Sequence, residues 1–236
     1  MQTPDAFVKL MKHASLAVEL AGLPVAQLCF ETHLNPPAIL SAWANFTRPH
    51  PRYKLVRNKA MGIALVDIAG FGNAASYLDT VRQHGHAGPQ SRKAAARGYR
   101  LRRIDRNAHL DEIHAIHLSC AERQGRPIDS AYLRKQPYPA QAHCDCHGVF
   151  DAAGRLAAYC NVARFGNFAA TDQLMGYKNG DGAMYLLLSH IICELIEERQ
   201  VAWFMYDSYL GARPGLRDFK RRLGFRPYRV RYSLAR

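Results

Sequence analysis

Val201-Ala202-Trp203-Phe204-Met205-Tyr206 opens the stretch, running on to Tyr232, whose reading decides the fold. The six-residue run is apolar and aromatic, too short to span a membrane and of the right length for a buried strand. Polarity returns at Asp207-Ser208-Tyr209, and Gly211 and Pro214 break the pattern. Leu216, Phe219, Lys220 and Leu223 then recur at i, i+3, i+4 and i+7, one face of a helix. Gly224 suits the stop of that helix. Tyr228, Val230, Tyr232 and Leu234 alternate with Arg229, Arg231 and Ser233, the period of a half-buried strand. The order is strand, helix, Gly-Phe, strand.

Working outward, Gly182 to Gln200 reads as the longest helix, with Met184, Leu187, Leu188, Ile191, Ile192, Leu195 and Ile196 as its core stripe. A strand is expected up to about Met175. Gly148 to Phe150 and Leu156 to Val162 form a hairpin around the turn Asp151-Ala152-Ala153-Gly154. Asp111 to Glu122 reads as a helix and Tyr99 to Ile104 as a strand. Ala74 to about Arg97 reads as helical with an interruption near Gly85 to Pro89, and Gly62 to Ile68 as a buried strand. Residues 1–52 read as an extension. It holds an amphipathic helix (Phe7, Leu10, Met11, Leu16, Val18, Leu20), a short strand from Val25 to Glu31, and a helix entered through Pro36-Pro37. Arg48-Pro49-His50-Pro51-Arg52 is a stiff linker, because two prolines forbid a helix, and the main domain is placed at 53–236. This is a mixed α/β order, with helices expected to flank a central sheet.

The ending resembles the GNAT superfamily of N-acyltransferases, in which the last helix closes on Leu-Gly-Phe and hands over to a final strand. Most members keep a Tyr four residues before that Gly. Here Lys220 stands there, preceded by Phe219, and this pair is similar to the FemAB-type branch, which includes aminoacyl-tRNA-dependent transferases. The basic stretch Ser91-Arg92-Lys93-Ala94-Ala95-Ala96-Arg97-Gly98-Tyr99 is similar to a basic helix of the same branch. The resemblance covers roughly residues 60 to 236. It implies a GNAT-like mixed sheet and transfer of an acyl or aminoacyl group to an amine. The implied co-substrate is acyl-CoA or aminoacyl-tRNA, with no tightly bound cofactor.

The resemblance also assigns roles. Tyr177-Lys178-Asn179-Gly180-Asp181-Gly182 falls where the superfamily holds the CoA pyrophosphate, with Tyr177 in place of the usual Gln or Arg. Lys178, Asn179, Gly180 and Gly182 are therefore donor-binding candidates, since glycines admit backbone N–H groups to phosphates and a helix N-terminus favours anions. A plain Gly-rich helix entry is the competing reading. Lys220 is the first catalytic candidate, as the cation that meets the developing oxyanion; a phosphate-contacting or solvated lysine is the alternative. Asp207 and Tyr209 end a strand, where an acid can orient or deprotonate an amine or simply cap a turn. Tyr206 and Phe219 are candidates for lining the substrate. Arg123 and Arg126 are candidate clamps for an anionic acceptor, or parts of a plain turn. His114 and His117 share a helix, as bases or as ordinary helical histidines.

Net charge is +13, from 32 Lys and Arg against 19 Asp and Glu, and the excess is clustered. Arg92 to Arg106 holds seven basic residues and one acid, and Arg213 to Arg236 nine and one. Such blocks attract polyanions, tRNA among them, or serve as a solvated face. Six cysteines without framework spacing, no apolar run of membrane length and no signal-like start lead to the expectation of a cytoplasmic protein. His143-Cys144-Asp145-Cys146-His147 packs metal-ligand types together, but zinc ligands usually come as two separated pairs, so no metal is expected. A reading from another class stays open: a non-catalytic nucleic-acid-binding module on the same scaffold.

Overall fold

The computed structural model describes residues 18–51, 54, 56–84, 87–123 and 126–235. Its eight-stranded mixed sheet is built from β1 (Val25–Glu31), β2 (Ile63–Asp67), β3 (Arg100–Arg103), β6 (Cys144–Phe150), β7 (Leu156–Arg164), β8 (Phe168–Gly176), β9 (Trp203–Ser208) and β10 (Arg226–Ala235). The spatial order is β1-β10-β2-β9-β8-β7-β6-β3. β1 runs parallel to β10, β8 runs parallel to β9, and all other pairs are antiparallel. β4 (Glu122–Arg123) and β5 (Arg126–Pro127) form a separate two-stranded pair.

Helices cover both faces. On one, α2 (Ala74–His84), α5 (Ala183–Glu198) and α6 (Pro214–Arg222) pack around Leu187, Leu188, Ile192, Phe204 and Phe225, and α3 (Ala87–Ala96) lies against α5. On the other lie α1 (Pro36–Thr47) and α4 (Leu110–Leu118), each over its own apolar cluster. β7 is buried along nearly its whole length, as a strand covered on both faces must be.

The helix expected over 111–122 ends at Leu118, where the Ser119 hydroxyl donates back to the Ile116 carbonyl, and Glu122 starts a strand instead. The interruption expected near residues 85–89 falls in part on residues 85 and 86, which lie outside the described ones; α2 is described to His84 and α3 from Ala87. Of the amphipathic helix, Phe7, Leu10, Met11 and Leu16 lie outside them too. Residues on both sides of the boundary expected at 52 share one sheet and one core. Phe30 of β1 is fully buried, edge-on to Trp43, Phe46 and Phe168. The free edge of β1 meets the turn before β8: Glu31 N–H donates to the Phe165 carbonyl at 2.7 Å, and the Asn167 side chain bonds the Cys29 N–H and the Gln27 carbonyl. No helix among the described residues is long and apolar enough to cross a membrane.

Candidate active site

β8 and β9 pair only over Phe168–Ala170 and Trp203–Met205. Directly beyond, each strand carries an extra residue. Asp172 stands between the pairs Asn161–Gln173 and Val162–Thr171, and Tyr206 with Asp207 faces Ala64 alone. Bulges bend a strand and raise its twist. Two at the same level drive these parallel strands apart, and a cleft of about 1920 Å³ opens between them.

Asp207 has φ of 49°, the left-handed region that side chains other than Gly enter at a cost. Its carboxylate is ion-paired with Lys59. Burial alone would push the carboxyl up, but the charge and hydrogen bond of Lys59, with the charge of Lys220, hold it below its ordinary range. Lys220 lies beneath. It is 1% exposed, and its ammonium donates to the Tyr206 carbonyl at 2.6 Å and the Ser208 carbonyl at 2.7 Å. It also sits 4.2 Å from the centroid of the Tyr206 ring. Burial pushes its pKa down to about 8, with Asp207 opposing and Lys59 assisting. A solvated lysine on a basic helix is excluded by this burial. α6 presents Lys220 here because it shares the inner face with Leu216, Phe219 and Leu223.

The other candidates are sorted by the same geometry. Phe219 lines the cleft and packs against Tyr185. Tyr206 lines it too, but is mostly buried against Phe225. Tyr209 is not brought to the cleft: its ring packs against the main core while its N–H donates to the Gly62 carbonyl. Arg123 and Arg126 pair through their backbones in the β4–β5 hairpin, beside Glu122, whose side chain is ion-paired with Arg213 across 3.9 Å. Gln124 and Gly125 lie outside the described residues. His117 is buried against Tyr132 and Tyr159, hydrogen-bonded at both ring nitrogens, and serves the packing of α4.

Lys178, Asn179 and Gly180 form the exposed loop ahead of α5, on the cleft wall. The helix entry itself is occupied by the chain's own acid. Asp181, 7% exposed, accepts from the Ala183 N–H at 2.9 Å and from the Tyr99 hydroxyl. Its carboxylate therefore sits where a phosphate would use the helix N-terminus. Gly182, at φ of 90°, would place a Cβ 2.4 Å from the Gln90 carbonyl oxygen, so its glycine is required by the close passage of α3.

The His143–His147 segment is β6 and its approach. Alternation turns Asp145 and His147 toward α5, where His147 faces Glu194, and Cys144 and Cys146 toward the opposite clusters. Burial pushes the two thiols up to about 11 and about 12. Among the described residues no group of three or more His, Cys, Asp or Glu is placed to hold a metal ion. Part of the basic excess is internal: Arg103 pairs with Glu194 and Glu198, and Arg106 is bonded to Gln141.

Sequence reasoning missed Lys59, which follows the proline-rich linker in no motif, and the polar residues on the far side of the cleft. The only signal for the latter was Asn161 inside an otherwise apolar strand.

No protein-family model and no curated protein matches the sequence. Solved structures do resemble the fold. FemX matches with a TM-score of 0.54 at 10% identity, over 71% of this chain and 59% of that one. A C-terminal domain from Agrobacterium fabrum, assigned to a lysylphosphatidylglycerol synthetase, gives 0.49 at 17% over 70% and 57%. A tandem GNAT protein from the clavulanic acid biosynthesis pathway gives 0.44 at 18% over 82% and 55%. This chain thus spans less than two thirds of the length of each. The mixed sheet with helices on both faces is a GNAT-like α/β fold.

Proposed function

We propose that this protein is an N-acyltransferase that moves an aminoacyl group from an ester donor, such as aminoacyl-tRNA, to an amine acceptor. The observation that carries the reading is the clamped Asp207 at the point where β8 and β9 part, with Lys59 beside it and Lys220 below. A carboxylate held low keeps its charge at neutral pH and is a weak base, so its part is to orient the incoming amine. Lys220 fixes the two peptide units around Asp207 and lends positive charge to the tetrahedral intermediate. It is a positioning residue first.

An aminoacyl ester is favoured over acyl-CoA because Asp181 already fills the α5 N-terminus that would hold a pyrophosphate. The basic segments, with Lys93, Arg97 and Arg100 on or near the surface, suit a tRNA phosphate backbone. The test supplies a primary amine with either acetyl-CoA or charged tRNA and follows free thiol or loss of the aminoacyl ester. Amine-dependent consumption of the ester is expected. Consumption of the thioester alone overturns the choice of donor. Binding of tRNA with both donors intact identifies a binding module instead.

A further inference from the structure

A second cavity, of about 620 Å³, lies on the α1 face of the sheet. It meets the cleft at Lys59, Tyr206 and Asp207, which line both. Its wall mixes apolar side chains such as Phe46, Phe165 and Met205 with the polar Gln141, His143 and Asp172. His143, 7% exposed, lines the cavity, and Asn161, 1% exposed, lies behind the lining residue Asp172. Buried polar groups cost free energy unless bonded, and both are bonded, Asn161 to the exposed acid Asp172. The Asn161 amide donates to the Asp172 carboxylate at 3.0 Å, and His143 meets the Asn35 amide at 3.1 Å. Asp172 is the bulge residue of β8 and lines the cavity. Although the chain carries +13, Asp172 makes no ion pair among the described residues. Arg106, on the same face, is directed to Gln141 and Gln173 and lies over the Tyr138 ring.

We infer that this cavity is the acceptor pocket and takes a short amine bearing a second, non-reacting cationic group, a diamine or a basic amino acid, with that group held by Asp172. The inference rests on the transfer reading for the reacting end only. There, Lys59 and Lys220 flank Asp207 and disfavour another ammonium, so the attacking amine sheds a proton first. Asp172 is ion-paired to no lysine or arginine among the described residues, so a persistent charge is accommodated there. In the transfer the N–C bond forms and the ester C–O bond breaks. Of the two protons the ammonium gives up, one goes to the leaving oxygen and one to solvent.

Binding is measured calorimetrically on the full chain without any donor, using cadaverine, n-pentylamine and glutarate as probes. Cadaverine should bind saturably at one site, about tenfold or more tighter than n-pentylamine, and glutarate not at all. Asp172→Asn keeps the size and an acceptor for Asn161 and should weaken cadaverine about tenfold or more. Ser41→Trp, at the exposed rim on α1, should block the pocket without touching Asp172. No saturable cadaverine binding, equal binding by wild type and Asp172→Asn, or a preference for glutarate overturns the inference. Because no donor is present, failure of the transfer reading leaves this binding intact. Conversely, transfer to amines that is indifferent to Asp172→Asn and shows no preference for cadaverine sinks the pocket alone.

Discussion

Lys220 donates hydrogen bonds to the carbonyls of Tyr206 and Ser208, the residues on either side of Asp207. One ammonium thereby holds both peptide units around a residue at φ of 49°. A side-chain-bearing residue in that region costs about 1–2 kcal/mol. The clamp and the β2–β9 bulge fix it there, and the same bulge directs the carboxylate to Lys59.

Activity should therefore fall as pH rises above about 8, where the buried ammonium loses its proton. Lys220→Arg stays charged throughout and should lack this alkaline limb, whatever its absolute rate. The linkage has a definite sign. The folded pKa lies below the unfolded value of 10.5, so between about pH 8 and 10.5 the unfolded chain binds more protons. The penalty from this group is full below pH 8 and fades as pH rises through that window. A pH–rate profile of wild type that stays flat to pH 9.5 removes the ammonium from the mechanism.

Lys220→Met leaves the Tyr206 and Ser208 carbonyls without their donor, at about 1–3 kcal/mol of desolvation each, partly offset by no longer burying a charge. Urea unfolding should show a loss of roughly 2 kcal/mol. An unchanged midpoint would show that the clamp contributes nothing.

Asp207→Asn keeps the shape and tolerates the left-handed backbone, but removes the charge that pairs with Lys59. Turnover should drop by roughly a hundredfold while far-ultraviolet circular dichroism is unchanged. Retained turnover would move the acceptor-orienting role elsewhere.

Gly182→Val must push a Cβ into the Gln90 carbonyl at a positive φ, so it should loosen the packing of α3 on α5 and cost several kcal/mol. Gly180, at φ of 66° with nothing within 4 Å of its Cβ position, is the cleaner probe of the loop. Gly180→Ala should lose only about 1 kcal/mol, and donor affinity then reports whether the loop touches the donor. If Gly182→Val unfolds at the wild-type midpoint, the close approach of α3 is not what the residue serves.

Asp181→Asn removes the carboxylate at the start of α5 while keeping an acceptor for the Ala183 N–H. Inorganic pyrophosphate should then bind more tightly than to wild type, because the helix end no longer faces a fixed anion. Equal or weaker binding would mean that Asp181 does not guard that position.

The elements of the sheet and helices were legible because their periodicities are strong. The alternation in β10 and the four-residue face of α6 both appear as read, Lys220 included. The partnership of strands was not legible. Nothing in Val25–Glu31 says that it pairs with Arg229 rather than forming part of an extension, because hydrogen-bond ladders between distant segments leave no local pattern. Of the candidate site, the positions of Asp207 and Lys220 were legible, since one ends a recognisable strand and the other stands at a recognisable helix position. Lys59 was not, since a lysine in a loop has no period. Gly180 and Gly182 fitted a phosphate-binding spacing, but Tyr99 on the Asp181 carboxylate and Gln90 against Gly182 come from the tertiary fold.

Pairing residue 25 with residue 229 has a consequence for how the chain acquires its structure. During synthesis β1 emerges long before the strand that Val25 pairs with at Arg229. β2 waits as well, since its neighbours are β9 and β10. Loop closure over such separations is slow, and the waiting strands keep unsatisfied edges and apolar faces such as Leu28 and Phe30 open to wrong partners. Cells in which chaperones that shelter nascent chains are depleted should therefore yield this protein as aggregate, and ribosome-stalled chains ending before β9 should be cut by protease throughout the segment that becomes β1 and β2.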